Sequence, residues 1–538
     1  MQIKDYSFSE LPFSKLFQTY TSDFGRLKPF FEVNPFDFEE ITGHAETLDF
    51  KGKRKRSAEI LKQINKRYEP HEKVFRNIDR LAGEDALAVV TGQQLGVLGG
   101  PLYTVFKILG TIHLAQQLEE KLKRPVVPVF WLADEDHDYE EVQSVSIINK
   151  DDTETFSLPD KTENLPPVAE LEFPEELEAL KKEVRESLYE TDFSEDLWAI
   201  LDHSFKAGKR FDYSFGDFVA RLFSKHGLVL AGSNHPAVKE HTKDCMKAAI
   251  ERADEMREAL EKQSESIKAN YHQQVTLYDS NLFYLDDEKG RQKISRNGDG
   301  WKTDAGYEWQ TDELVDEIDS DPGKFSPNVF LRPILQDFFL PTLGYVAGPG
   351  ETAYYGQMKL FYNSFALKMP VIFPRLSATL IEPAIDRILD ELPFDIHEYD
   401  SRIEDLESEF VDRTEQVDIE AIFSDWKEKV EVISQDKTEA IKKVDPTLEG
   451  ASGKASSVYM GELDKLKGKV YRAVKQQEQT QLNRIKKIKA QLFPNGAPQE
   501  RVVAGIYFMN KYGVTIWDEM LKSLEEDENF NSHKLISL

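Results

Sequence analysis

Residues 86–141 constrain this chain more tightly than any other stretch. An apolar run, Ala86-Leu-Ala-Val-Val, gives way to Thr-Gly-Gln-Gln-Leu-Gly-Val-Leu-Gly-Gly, so a strand ends where a glycine-rich turn begins. Pro101 suits the first position of a helix, and Leu102, Val105, Phe106, Leu109, Ile112, His113 and Leu114 recur three and four apart before Lys121 to Arg124 close it. A second apolar run follows at 125–132, rich in β-branched residues. Strand, turn, helix and strand make one βαβ unit. Strands apolar on both faces belong in a parallel sheet that is covered on both sides.

Such a sheet binds ligands beyond the carboxyl ends of its strands, where a helix that starts there offers unpaired backbone N–H groups to an anion. Two unusual clusters fall at that edge, the loop at 91–101 and Asp134-Glu-Asp-His-Asp. The glycine spacing is neither GxGxxG nor GxxxxGK[ST], so no dehydrogenase or P-loop fingerprint is present, and the glycines read equally well as turn formers. A second junction of the same kind lies at 343–352. There Leu-Gly-Tyr-Val-Ala runs into Gly348-Pro-Gly, and Glu351 and Thr352 fall in the first turn of the next helix, where a carboxylate or hydroxyl suits the helix dipole. Two junctions at one sheet edge would enclose a cleft.

Composition sets outer limits. A chain of 538 residues is long enough for roughly three or four folding units. A hydrophobic content of 40% supports a sizeable core, while a mean hydropathy of −0.52 and the lack of any run approaching a membrane span predict a soluble chain with no membrane partner. Residues 1–8 are too polar for a secretory signal, so the expected location is cytoplasmic. The single cysteine, Cys245, excludes an internal disulfide framework and a cysteine-rich zinc site. A net charge of −29 argues against a nucleic-acid partner.

Along the chain, residues 1–84 read as short aromatic-rich helices packed on the core. Residues 85–381 form the core, with insertions at about 139–210 and 275–330; the second has the strand-turn-strand pattern of a β-rich segment. The run at 227–231, Gly-Leu-Val-Leu-Ala, is a candidate further parallel strand, and 237–274 is expected to be one long helix. Cys245, inside it between Lys243 and Lys247, would have a lowered pKa if exposed and is an ordinary helix thiol otherwise. From 382 to 492 apolar residues fall three and four apart among charges, the pattern of an antiparallel helical hairpin or coiled coil with a loop at 445–457 near its tip. Its second arm is basic, either a solvated face balancing an acidic first arm or a binding surface. Residues 493–538 return to the core.

Six stretches carry a resemblance. Val90-Thr-Gly-Gln-Gln-Leu-Gly-Val-Leu-Gly-Gly-Pro-Leu-Tyr-Thr, Pro125-Val-Val-Pro-Val-Phe-Trp-Leu-Ala-Asp-Glu-Asp-His-Asp, Gln336-Asp, Gly344-Tyr-Val-Ala-Gly-Pro-Gly-Glu-Thr-Ala-Tyr-Tyr, Pro374-Arg-Leu-Ser-Ala-Thr and Leu492-Phe-Pro-Asn-Gly-Ala-Pro-Gln-Glu-Arg resemble the BshC family, the cysteine ligases of bacillithiol biosynthesis. The resemblance runs over essentially the whole chain. It implies an α/β fold with a Rossmann-like, nucleotidyltransferase-type parallel-sheet core, connective insertions, a C-terminal α-helical coiled-coil domain and a homodimer. It also implies a reaction, in which the carboxyl group of L-cysteine is joined to the amine of glucosaminyl-malate. A carboxylate is a poor acyl donor, so activation is required; ATP or another nucleotide is the expected source, with Mg²⁺ a candidate companion.

Within that framework Thr91, Gln93, Gln94, Gly99, Gly100 and Tyr103 are expected to line the nucleotide or substrate cleft, facing Gly348, Gly350 and Glu351. Asp134, Asp136 and His137 are the candidate catalytic residues, and Glu135 and Asp138 complete a cluster suited to a substrate ammonium group, base catalysis or Mg²⁺. Four carboxylates around one imidazole favour a charged His137 if they stay ionised. The alternative is a helix start capped by acids. Arg332 and Arg375 either grip phosphate or malate or are paired structurally. His113, well along the first helix, reads as a buried structural histidine. A rival reading keeps the fold without the chemistry, as a non-catalytic nucleotide-binding module whose coiled coil recruits a partner.

Overall fold

The computed structural model describes residues 1–150, 152–161, 166–286, 288–414, 418–525 and 530–538. The chain divides into two units, one of residues 1–147, 154–380 and 500–536 and one of 148–153, 381–499 and 537–538.

The first unit begins with a strand, Gln2–Tyr6, followed by the helices Lys15–Ser22, Phe38–Thr47, Arg54–Lys66 and Glu72–Leu81. Its centre is a five-stranded sheet. In chain order the elements are β1 (Leu87–Gln93), α1 (Leu102–Leu122), β2 (Val126–Leu132), α2 (Phe211–Phe223), β3 (Val229–Gly232), α3 (Pro236–Glu251), α4 (Ala253–Lys268), α5 (Leu331–Phe339), β4 (Thr342–Ala347), α6 (Pro349–Tyr355) and β5 (Val371–Pro374). The strands lie in the order β5-β4-β1-β2-β3, and every pairing is parallel. Counted from β1, this is the 3-2-1-4-5 order of a doubly wound sheet, and the winding reverses between β1 and β4.

The residues explain the sheet. Val89, Val90, Val127 and Val129 are wholly buried, and each such side chain contributes about 1.5–3 kcal/mol by leaving water. Phe130 and Trp131 are consecutive in β2 and so point to opposite faces. Phe130 lies on Phe215 of α2 at 6.0 Å, and Trp131 meets Phe339 of α5 edge-on at 6.2 Å. Helices therefore cover both faces, as the unbroken apolar strands require. Thr91 ties β1 to β4, its hydroxyl donating to the Val346 carbonyl at 2.9 Å.

The turn after β1 is unusual in that Leu98, Gly99 and Gly100 all have positive φ. At Gly99, with φ +94°, a β-carbon would stand 2.4 Å from the Phe218 ring, so only glycine fits. The last part of the chain is clamped against this turn. Leu102 at the start of α1 donates its N–H to the Val503 carbonyl, and Ala504 donates to Ser146, both at 2.8 Å. A bridging segment from the end of the chain thus satisfies one of the free donors of the helix.

The expected single helix at 237–274 is two, α3 and α4, broken at Arg252. That residue leaves helical geometry (φ −116°, ψ 30°), and its guanidinium donates to the Ser364 carbonyl at 2.5 Å. Among the described residues of 275–330 six short strands pair antiparallel in two small sheets, Phe325–Pro327 being the last of them.

The second unit is helical: α7 (Ile403–Thr414), α8 (Ile419–Val444), α9 (Glu449–Gln477) and α10 (Gln479–Leu492). α8 and α9 run antiparallel, with Thr438 opposite Ser452 (2.7 Å) and the ion pairs Lys427–Asp464 and Lys467–Glu420. The tip is tighter than the sequence suggests. Pro446–Leu448 makes the turn and residues 449–457 are already helical. Lys475 and Lys486 both pair with Glu407, and Arg484 with Glu391, so part of the basic arm balances nearby acids.

Candidate active site

Where the winding reverses, the carboxyl ends of β1 and β4 diverge and leave a cavity of about 470 Å³. One wall is the end of β1, with Gln93, Gln94 and the first turn of α1 through Tyr103. The facing wall is the loop from β4 into α6, with Gly348, Gly350 and Glu351. Asp136, Arg332 of α5 and Arg375, just past β5, complete it. Nine of the expected site residues therefore share one pocket. Thr91 and Gly99 are buried outside it, and Gly100 packs against Gly96 and Thr104. Asp138 is exposed to solvent.

The acidic cluster is split. Asp136 turns into the pocket, where Gln94 donates to it at 3.0 Å. Burial pushes its carboxyl up, but Arg332, the Gln94 hydrogen bond, Arg291 and the His137 N–H together hold it below the ordinary value. Glu135 turns away and lies 3.0 Å from Lys239 Nζ, both nearly fully buried. Asp134 lines a separate cavity of about 570 Å³ at the ends of β2 and β3 and accepts from the N–H groups of Ser233 and Asn234, each at 3.0 Å. Burial, then the neighbouring Glu135, raises the Asp134 pKa to about 7. That second cavity contains arginines, but Arg67 and Arg210 are both engaged by Asp212. Both arginines thus share a carboxylate inside the cavity.

His137 corrects an expectation. Burial first, and then nearby Arg291, lowers its pKa to about 4, so the ring is neutral at pH 7 despite its acidic neighbours. Its Nδ1 meets the Glu135 carbonyl at 3.0 Å. Cys245 is buried and its pKa is pushed up to about 12, the opposite of an activated thiol. His113 is buried in α1, with its ring centre 5.8 Å from that of Phe530.

Several pocket residues escape sequence reasoning. Lys107 stands one turn beyond Tyr103 on α1 and is 4% exposed. Its ammonium group joins the two loops, donating to the Gly92 carbonyl (2.8 Å) and Gln93 Oε1 (3.2 Å) and pairing with Glu351 Oε2 (2.5 Å). Glu351 in turn accepts from Gly348 N–H (2.6 Å) and the Tyr345 hydroxyl (2.8 Å). A lone lysine in a helix otherwise buried from 104 to 115 was the available signal, since a buried ammonium needs a partner. Glu141 and Arg501 also line the pocket, and burial raises the Glu141 pKa. Arg501 comes from the C-terminal segment, and its neighbour Glu500 meets Arg375 in a fully buried fork. Among the described residues no three His, Cys, Asp or Glu side chains come together in a way that could hold a metal ion. No helix among them is long and apolar enough to cross a membrane.

A doubly wound Rossmann-like core with a polar cavity at its switch point, together with an antiparallel helical arm, defines the class. The family model described as "Bacillithiol biosynthesis BshC, N-terminal Rossmann-like domain" matches residues 1–376, and "Bacillithiol biosynthesis BshC, C-terminal coiled-coil domain" matches 378–538. The chain belongs to the BshC family. Relatives named "Putative cysteine ligase BshC" include one from Salinibacter ruber, 30% identical over 98% of this chain and 96% of the relative. Others come from Chloroherpeton thalassium (31%, 98% and 97%) and a Geobacillus species (31%, 91% and 92%). The sequence family assigns 500–536 to the second domain, whereas in space these residues belong with the first unit.

Proposed function

We propose that this chain is the ligase that joins the carboxyl group of L-cysteine to the amine of glucosaminyl-malate in bacillithiol biosynthesis, with the switch-point cavity as its active site. The observation that carries the reading is one polar pocket holding three arginines, Arg332, Arg375 and Arg501, opposite the ionised Asp136. Forming an amide from a carboxylate requires activation, and ATP, when bound, supplies the group that turns the carboxyl oxygen into a leaving group. The donor set fits such a polyanion. Arg332 carries a positive charge in the wall, which burial opposes and Asp136 sustains. Charge that develops on phosphate or on the acyl oxygen would be met by groups already fixed in place.

Asp136 is suited to the ammonium group of a substrate, and Glu141, with a raised pKa, to accepting a proton from the attacking amine. Lys107 has no such role here, because its three contacts hold the Gln93 and Gly348 loops at a fixed separation. Mg²⁺ would enter on the nucleotide phosphates with Asp136 as its protein ligand, since magnesium sites need few carboxylates when phosphates are present. The family resemblance supports a homodimer working in the cytoplasm. The test is direct: purified protein, ATP, L-cysteine and glucosaminyl-malate should yield the amide product by mass spectrometry. Product should fall at least tenfold in Asp136→Asn and in Arg332→Met. Absence of product across metals and reductants would favour the non-catalytic module, and unchanged turnover in both variants would move the active site elsewhere.

A further inference from the structure

Arg375 is 2% exposed, yet it lines the cavity. Its guanidinium has five N–H donors in a rigid plane, and three of them are accounted for. Nη1 donates to Glu500 Oε2 at 2.7 Å and to the Leu376 carbonyl at 2.9 Å, and Nη2 donates to Glu500 Oε1 at 2.5 Å. Glu500 thus occupies the end of the fork. What remains is the side edge, Nε–H and the second Nη2 hydrogen, and neither has an acceptor among the described residues.

Glu500 is itself fixed. It is wholly buried and also accepts from Ser377 Oγ (2.9 Å) and Ala378 N–H (3.1 Å). His533 bridges Ser377 and Thr379 behind it, at 2.9 Å to each hydroxyl. The backbone clamp at 503–504 holds the segment that delivers Glu500. In front of the open edge stands Gly348. A β-carbon there would lie 3.3 Å from Glu351 Oε2 and 3.6 Å from Arg375 Nε, filling space between the two that an oxygen needs to come within about 2.9 Å of the guanidinium. The backbone at 348 is ordinary (φ −73°, ψ 170°), so conformation does not demand glycine, and its missing side chain leaves room beside Arg375.

We infer that Glu500 is a positioning residue: it turns the Nε–Nη2 edge of Arg375 into the cavity to take two oxygens of a carboxylate or phosphoryl group, and glycine at 348 leaves that edge open. This rests on the cavity being the substrate site and names the group that reads the anionic part of a substrate.

Calorimetric titration of the full chain with L-malate, with ATP and with inorganic phosphate tests it. In Gly348→Ala the Kd of the anion seated on Arg375 should rise tenfold or more while Tm stays within about 2 °C of wild type. A loss confined to malate identifies a carboxylate, and one confined to ATP and phosphate a phosphoryl group. Glu500→Gln should weaken the same anion and leave the other unchanged, a selectivity that general loosening of the fold would not produce. Wild-type affinity for all three probes in Gly348→Ala, unchanged affinity in folded Glu500→Gln, or no binding of any probe by the wild type would overturn the inference. If Glu500→Gln fails to fold, Gly348→Ala decides alone. Binding is read without turnover, so a chain that seats the anion through Arg375 but forms no amide would refute the ligase reading and leave this one standing.

Discussion

Cutting the Arg375–Glu500 fork offers a quantitative check on the packing behind the cavity. In Glu500→Ala the Arg375 charge stays buried while Ser377 Oγ and Ala378 N–H lose their acceptor. Removing one partner of a buried pair costs about 3–5 kcal/mol, because the remaining charge is uncompensated. For a unit of about 400 residues the entropy of unfolding is roughly 0.8 kcal/mol/K, so Tm should fall by about 4–6 °C. Arg375→Met should cost a similar amount. The double variant Arg375→Met/Glu500→Leu removes both charges together and fills the space, so it should melt within about 2 °C of wild type. Scanning calorimetry on these proteins, with Glu500→Leu added as the matching single variant, measures the cycle. A double variant that falls by the sum of the singles, or a Glu500→Ala variant that loses less than about 1 °C, would refute the claim that the pair is dry and coupled.

The pH dependence of the same pair has a definite sign. Burial pushes the Glu500 carboxyl up, but the charge and hydrogen bonds of Arg375, with His533 and the Ser377 hydroxyl, together hold the pKa below the ordinary 4.5. Its stabilisation is therefore complete above pH 4.5 and lost as pH falls through the folded-state value, and the Tm gap between wild type and Glu500→Gln should close on acidification. Asp134 has the opposite sign. Its pKa rises from 3.8 to about 7, so stability drains away as pH climbs between those values, and Asp134→Asn should gain on wild type between pH 5 and pH 8 in thermal melts. Cys245 should react with Ellman's reagent only after denaturation, when one thiol per chain appears. Gly99→Ala should lower stability by about 2 kcal/mol or more, because a positive φ and the Phe218 ring both oppose a methyl group; unaltered urea midpoints would contradict this.

The central βαβ unit was legible because its signal is local: an apolar strand, a glycine turn and a 3.6-residue pattern occur in consecutive residues. The same holds for the Gly348 junction and the helical arm. What escaped depends on contacts far apart in sequence. Glu500 lies 125 residues from Arg375, and nothing around it marks it as a buried partner. Asp134, Glu135 and Asp136 looked like one cluster because they are adjacent. The strand ends at Leu132 and the chain turns at 134–135, so the three side chains point apart, and only Asp136 reaches the pocket. His137 was misjudged by counting acids around it, since burial outweighs them. Lys107 was hidden in a helix read for its apolar stripe.

We propose that substrates meet where β1 and β4 part. A crystal structure with a non-hydrolysable ATP analogue and L-cysteine tests this most directly. Ligand between Gln93, Arg332 and Gly348, with Asp136 and Arg375 in contact, is the predicted result. Ligand bound instead beside Asp134 and Asp212, or on the helical hairpin with the switch-point cavity empty, would contradict it.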